Sequence, residues 1–153
     1  MSIESVAGTT LHISAATPAT FDDTGYAALT WTAVGEITDL GEFGRVYNII
    51  KHNPIGSRGT GKRKGSYDEG ALNLKLALDT DDAGQIICKT ASGSDANYSV
   101  KVTAQGGDKY YMQVQVVSFK NMFGSVDNMK SASIDMEITT NSAGVGVVEV
   151  LAA

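Results

Sequence analysis

A glycine-rich basic segment near the middle of the chain comes close to a phosphate-binding loop. Gly56, Gly61 and Lys62 occupy the three fixed positions of the GxxxxGK motif. The next position must be Ser or Thr to bind magnesium, and here it is Arg63. The residues that follow predict a strand, so the helix N-terminus that would cradle a phosphate is missing. The segment therefore argues against a nucleotide site, and its glycines are better explained as loop residues.

The other candidates for chemistry also have simpler explanations. Asp79–Asp82 lacks the residue order of an EF-hand and suits the cap of a helix. His12 and His52 are the only histidines, and neither has a Ser or Cys nucleophile in a recognisable motif beside it. Cys88 is the only cysteine and lies among apolar residues, which is typical of a small buried side chain. We therefore expect no enzyme activity, no metal site and no cofactor.

Length and composition limit the class of protein. The 153 residues suit one domain, 1–153, which can bury a core without disulfides or metal. The net charge of −5 argues against general binding to nucleic-acid phosphates. The first residues lack the basic and apolar regions of a Sec signal. No apolar run approaches the roughly 20 residues that span a bilayer, so we expect no membrane insertion.

Alternation of apolar and polar residues predicts most of the secondary structure. Successive side chains of a strand point to opposite faces, so these segments indicate half-buried antiparallel strands. The segments are Thr9–Ser14, Leu29–Val34, Ala71–Leu78, Tyr98–Ala104, Tyr110–Phe119, Ser131–Thr140 and Val145–Leu151. Only Ala83–Ala91, preceded by capping aspartates, predicts a helix. Seven or eight strands with one helix predict a mainly β fold: a two-sheet antiparallel β-sandwich or open barrel with one short flanking α-helix.

Charge is distributed unevenly along the chain. Residues 45–64 hold six of the twelve Lys and Arg and no acid, within a polar segment at about 43–70 that we expect to be a long basic loop. A basic segment on an otherwise acidic protein gives two complementary patches, which favour head-to-tail contacts between copies. The alternative is a solvated loop, mobile in the monomer, whose charges contact nothing specific.

The order of these parts resembles that of the major tail tube proteins of long-tailed, non-contractile bacteriophages. The resemblance rests on Gly8–Ile13, on WTAVGEITDLGEFG at Trp31–Gly44, and on the loop, strand and helix that follow. It implies hexameric rings stacked into a tube through which double-stranded DNA leaves without specific binding. It also implies that an N-terminal arm (1–8) and the long loop take part in stacking. By the same resemblance, the partners are tape-measure, tail terminator and distal tail proteins, and the location is the virion tail, after synthesis in the host cytoplasm.

Particular side chains follow from combining the resemblance with the charge pattern. We expect the loop cations Arg58, Lys62, Arg63 and Lys64 to form inter-ring contacts. Their expected acidic partners in another copy are Asp22, Asp23 and Asp39. Asp135 and Glu137, on the polar side of one predicted strand, become candidates for the lumen wall, where negative charge would not hold DNA phosphates.

Two other classes of protein fit the same sequence features. A tube protein of a type VI secretion or related contractile injection apparatus would share the fold and the ring symmetry. A monomeric carbohydrate- or protein-binding β-sandwich would instead expose aromatic residues at its loop tips, whereas Trp31 and most Tyr and Phe lie in predicted strands.

Overall fold

The computed structural model describes residues 3–152 and contains ten strands and two helices within them. The strands are β1 (Thr10–Ser14), β2 (Thr32–Ala33), β3 (Ile37–Asp39), β4 (Val46–His52), β5 (Gly61–Asp68), β6 (Ala71–Ala77), β7 (Tyr98–Thr103), β8 (Lys109–Met122), β9 (Ser131–Thr139) and β10 (Val148–Val150). The helices are α1 (Asp23–Ala27) and α2 (Ala83–Ser92). The predicted single domain and N-terminal arm include residues 1, 2 and 153, which lie outside the described residues.

Eight of the strands form one antiparallel sheet that curls into a half-barrel. Its order is β2-β1-β7-β8-β9-β6-β3, and β10 pairs with the first residues of β8. The remaining strands, β4 and β5, form a separate two-stranded hairpin. The predicted mainly β fold with antiparallel sheets and a flanking helix is confirmed.

The core fills the hollow of the half-barrel. In β6, Leu72, Leu74 and Leu76 are buried while the residues between them are exposed, as strand alternation requires. Strands β1, β7, β8 and β9 supply most of the other core side chains, and α2 closes the hollow by burying Cys88 and Ala91. Burial of this apolar surface is the main force that holds the sheet in its curved form.

The predicted helix is present, and its cap is Asp82. The Asp82 carboxylate accepts from the backbone N–H of Gln85 at 3.0 Å. The buried Gln85 amide then donates to the carbonyls of Gly35 and Ala77, which ties the helix to both sides of the sheet. At Gly84 an added Cβ would lie 2.2 Å from the carbonyl oxygen of Ala33. Only glycine allows α2 to approach the backbone so closely.

The expectation of a single helix is wrong, because α1 also forms. It has only five residues, too few to show a helical period, and it is held by packing. Tyr26 stacks on Tyr111 of β8 with ring centroids 5.1 Å apart. Gln113 lies between Met112 and Val114 in β8 and is consequently buried beneath α1, where its amide donates to Ser99 at 2.6 Å.

The predicted loop at about 43–70 is also wrong, since 46–68 folds as the β4–β5 hairpin. The hairpin has no buried face, so its sequence lacks the clear alternation that marks the other strands. A β-bulge between the Tyr47 and Ile49 pairs shifts the register further. The prediction for Leu29–Val34 was too long, because only Thr32–Ala33 is strand.

Candidate assembly surfaces

The β4–β5 hairpin has no buried residue in either strand. Tyr47, Gly65 and Tyr67 are partly buried, and every other residue of the two strands is exposed. The exposed residues include four large aliphatic side chains of the hairpin and its turn: Val46, Ile49, Ile50 and Ile55. Neither strand packs extensively on another element. The hairpin therefore projects from the body of the protein with apolar side chains in contact with solvent.

The root of the hairpin is fixed to the body by an ion pair and two aromatic rings. Arg45 lies 2.8 Å from the buried carboxylate of Glu69, and its guanidinium carbon lies 3.8 Å from the centre of the Tyr67 ring. The Tyr47 ring contacts Tyr67 edge-on, and the Tyr67 hydroxyl donates to the carbonyl of Gly144 at 3.1 Å. These contacts fix the orientation of the hairpin relative to the sheet.

The four predicted contact cations lie on this hairpin or in its turn, and all are exposed. Arg58 is in the turn, and Lys62, Arg63 and Lys64 follow one another in β5. The one ion pair found among residues 3–152 joins Arg45 to Glu69, so these cations have no carboxylate within the same chain at salt-bridge distance. Lys64 lies over the Tyr47 ring at 4.7 Å. The structure thus groups the four predicted cations on one projecting element.

The three predicted acidic partners lie on two other elements. Asp22 caps α1, and its pKa is lowered by the backbone N–H of Gly25 and then by the Thr20 hydroxyl. Asp23 is exposed in the first turn of the same helix. Asp39 ends β3, where its carboxylate accepts from the N–H of Gly41 at 2.8 Å. The three carboxylates are exposed and belong to two separate elements.

The three neighbouring strands β6, β8 and β9 carry polar side chains on the face that points away from the core. Glu137 is exposed on this face, and the half-buried Asp135 accepts from the Ser118 hydroxyl at 2.9 Å. Lys75 and Lys120 both pair with Ser133 of β9, two residues before Asp135, so cations lie on the same face as the two acids. We name this surface the open face; it combines both signs of charge instead of being uniformly acidic.

Sequence reasoning missed the loop between β8 and β9, Phe123–Lys130. Its apolar side chains Phe123, Val126 and Met129 are 62%, 97% and 83% exposed. A groove of about 440 Å³ lies beside it, between α2 and the end of β8, lined partly by Leu78 and Ile86. The signal was present as three apolar residues in a short segment with turn residues, FGSVDNMK. The segment lies between two strongly alternating strands, so period-two alternation does not reveal it.

The described part of the chain has neither a cluster of metal-ligating side chains nor a membrane-spanning helix. Among residues 3–152 no three His, Cys, Asp or Glu side chains lie close enough together to hold a metal ion. Neither α1 nor α2 is long and apolar enough to span a bilayer.

No protein-family model matches the chain, and no curated protein matches it in sequence. Its fold does have a counterpart among solved structures. The chain is similar to a component of the anti-feeding prophage baseplate. That cryo-EM structure was obtained with sixfold symmetry, and the two chains align with a TM-score of 0.67 over 98% of this chain and 97% of the other. The sequences are 7% identical, so the likeness concerns the fold alone.

The likeness covers nearly the whole of both chains, including the part that carries the hairpin. It agrees with the resemblance to tail proteins at the level of the fold, since the component belongs to a prophage-derived assembly. It does not distinguish a tube protein of non-contractile phages from other components of tail-like particles.

Proposed function

We propose that this protein is a structural subunit of a phage-tail-like particle and that it works by binding copies of itself. The main support for the proposal is that no residue in either strand of the β4–β5 hairpin is buried. An isolated two-stranded hairpin is marginally stable in water, and stable sheets need further strands or packing on one face. Exposed aliphatic side chains on such a hairpin therefore indicate a surface that is covered in an assembly.

The charge distribution supports a copy of the same chain as the covering partner. The hairpin is strongly basic, whereas the chain as a whole has a net charge of −5. A basic projection attracts an acidic surface, and the rest of this molecule provides one. Because the two surfaces differ, the contact is head-to-tail and generates rings or stacks instead of a closed pair.

The specific form that we propose is a tube subunit, with hexameric rings stacked around a channel for double-stranded DNA. The open face would line the channel, with Asp135 and Glu137 toward the DNA and the lysines limiting the net charge. A polar wall of low positive charge lets DNA pass without release of many counterions. The location would be the virion tail, with tape-measure, terminator and distal tail proteins as neighbours, and the protein would have no catalytic activity.

A second candidate is a tube protein of a type VI secretion or related contractile injection apparatus. The observation that favours it is the fold shared with a prophage baseplate component. Both candidates require ring assembly and differ in the particle that contains the rings. Purified particles from the source would separate them, because a contractile apparatus has a sheath around the tube and a non-contractile tail does not.

Reversing the charge of the hairpin tests the proposal. We expect the wild-type protein to form rings or tubes in negative-stain electron micrographs as its concentration rises. The variant Lys62→Glu/Arg63→Glu/Lys64→Glu should stay monomeric, and the matched variant Lys62→Arg/Arg63→Lys/Lys64→Arg should assemble normally. Circular dichroism of each variant checks the fold. A wild-type protein that remains monomeric at all concentrations would refute self-assembly, and tubes of normal length from the triple Glu variant would refute the role of these cations.

A further inference from the structure

The β8–β9 loop and the groove beside it form a second uncovered apolar surface, which we call the tip surface. Phe123 stands between the 440 Å³ groove and a smaller hollow of about 320 Å³ that is lined in part by Met122 and Met129. The groove is lined on the other side by Ile86 of α2, which is half exposed. A group of exposed apolar side chains around two hollows is typical of an interaction site.

The tip surface and the hairpin lie at opposite ends of the same strand. β6 begins at Ala71, directly after the hairpin, and its last residue Ala77 pairs with Ser131. The next residue, Leu78, donates its N–H to the carbonyl of Lys130 at 2.9 Å, at the end of the β8–β9 loop. Seven strand residues separate the two ends by about 20 Å. The hairpin is exposed along both strands, so it does not cover the tip surface of its own chain.

The exposed large apolar side chains of the described residues are concentrated in these two regions. Four belong to the hairpin and its turn, and Met122 with three loop residues belongs to the tip surface. Neither α1 nor β3, which carry the acids first considered as partners, has an exposed large apolar residue. Charged side chains of both signs surround these apolar residues: Asp79 lines the groove together with Lys89 and Lys130, and Asp127 is exposed in the loop.

We propose that the tip surface of one copy receives the β4–β5 hairpin of a second copy. The inference rests on the proposed function and specifies which surfaces meet. The aliphatic side chains Ile49 and Ile50 would contact Phe123, Val126 and Met129, and the hairpin cations would face Asp79 and Asp127. The hairpin and the tip surface lie at opposite ends of the molecule. Each added copy therefore presents a new free hairpin or a new free tip surface, and growth continues in one direction.

Cross-linking between two variants that each carry one added cysteine tests this contact. One variant carries Ile50→Cys on the hairpin and the other carries Val126→Cys at the tip surface. The two are mixed, assembled and treated with a short bis-maleimide. The native Cys88 is fully buried and does not compete. The matched comparison replaces Val126→Cys with Ala27→Cys, an exposed position on α1 beside Asp22 and Asp23.

We expect the Ile50–Val126 pair to give the cross-linked dimer in assembled protein and the Ile50–Ala27 pair to give little. Assembled protein in which the Ala27 pair cross-links as well or better, or in which neither pair cross-links, would overturn this inference and leave self-assembly standing. Protein that never assembles would refute the proposed function together with the inference.

A second measurement addresses the energetic role of the tip surface. The variant Val126→Ser/Met129→Ser replaces two exposed apolar side chains by polar ones without adding charge, and it should leave the fold intact. We expect it to raise the concentration needed for assembly by about a hundredfold, since burial of two such side chains is lost. An unchanged assembly concentration, with normal circular dichroism, would contradict the inference.

Discussion

Both Nε and Nη2 of Arg45 lie 2.8 Å from Oε1 of Glu69, at the point where the hairpin leaves the sheet. The Glu69 side chain is 4% exposed and packs against Gly146, where an added Cβ would lie 2.5 Å from its Cγ. Arg45 is 40% exposed and stacks on Tyr67. The charge of Glu69 is thus buried, and Arg45 connects it to the hairpin.

Removing the arginine should destabilise the protein because the Glu69 carboxylate would remain buried without a partner. For Arg45→Met we expect a measurable loss in the free energy of unfolding, smaller than that of a fully buried pair, since solvent reaches Arg45. Urea denaturation of unassembled protein measures it. The double variant Arg45→Met/Glu69→Gln should recover part of the loss. A change below about 0.5 kcal/mol in Arg45→Met would show that the pair does not hold the hairpin root.

Because α2 lies so close to β2, replacing one glycine of the helix by alanine should have an unusual effect on stability. Replacing Gly by Ala inside a helix normally stabilises it by about 1 kcal/mol. At Gly84 the new Cβ would meet the Ala33 carbonyl oxygen and Val34 Cα, both backbone atoms that cannot move independently of the sheet. We expect Gly84→Ala to destabilise the protein by about 1–3 kcal/mol in thermal or urea unfolding.

The matched control for this helix is Thr90→Ala, at an exposed position of the same element. It should leave stability unchanged or raise it by a few tenths of a kcal/mol, because Ala has the higher helix propensity. If Gly84→Ala also stabilises the protein, α2 must be able to move away from the sheet at little cost, contrary to the tight contact described above.

The fold was predictable wherever one face of an element is buried. The strands that carry Leu72, Val114 and Ile134 show a clear period of two, because the core selects every second residue. The cap of α2 was predictable for a similar reason, since a run of aspartates before an apolar segment satisfies local N–H groups. A sequence pattern predicts structure well when the interaction behind it is local, as in the cap of α2, or repeats along the chain, as in the alternation of a strand.

The features that sequence analysis missed depend on contacts between distant parts of the chain. Gln113 looks like a surface residue until α1, from near the start of the chain, covers it through Tyr26. The hairpin gave no strand pattern because neither of its faces is buried in the monomer. The cations of the candidate site were visible as a cluster of charge, whereas the tip surface with Phe123 depends on the loop meeting α2 in space.

The N-cap of α1 predicts that part of the folding stability is lost as the pH falls. Hydrogen bonds from Gly25 and Thr20 lower the pKa of Asp22 below its usual value of 3.8. A carboxyl whose pKa is lower in the folded state stabilises the fold above its unfolded pKa, and this contribution is lost as the pH falls through the folded pKa. The wild type should therefore lose stability below about pH 4 in part through Asp22.

The variant Asp22→Asn isolates this effect because the amide oxygen can still accept from the N–H of Gly25 but does not titrate in this range. We expect the stability difference between wild type and variant to favour the wild type at neutral pH and to shrink as the pH falls below 3.8. Thermal unfolding across this range measures the difference. A gap that stays constant down to the lowest pH would show that the carboxylate charge does not contribute at this cap.

The rate at which the sole cysteine, Cys88, is chemically modified measures how firmly α2 is held against the sheet. Cys88 is fully buried, and burial, with a smaller contribution from the charge of Asp82, raises the pKa of its thiol to about 12. At pH 8 roughly one molecule in ten thousand would carry the reactive thiolate. We therefore expect iodoacetamide to modify the folded protein far more slowly than the urea-unfolded protein, whose thiol has a pKa near 8.5. Modification should become faster in Gly84→Ala, because the weakened contact opens the helix more often. Equal rates for folded and unfolded wild type would mean that α2 does not protect the thiol and that the core described beneath it is not closed.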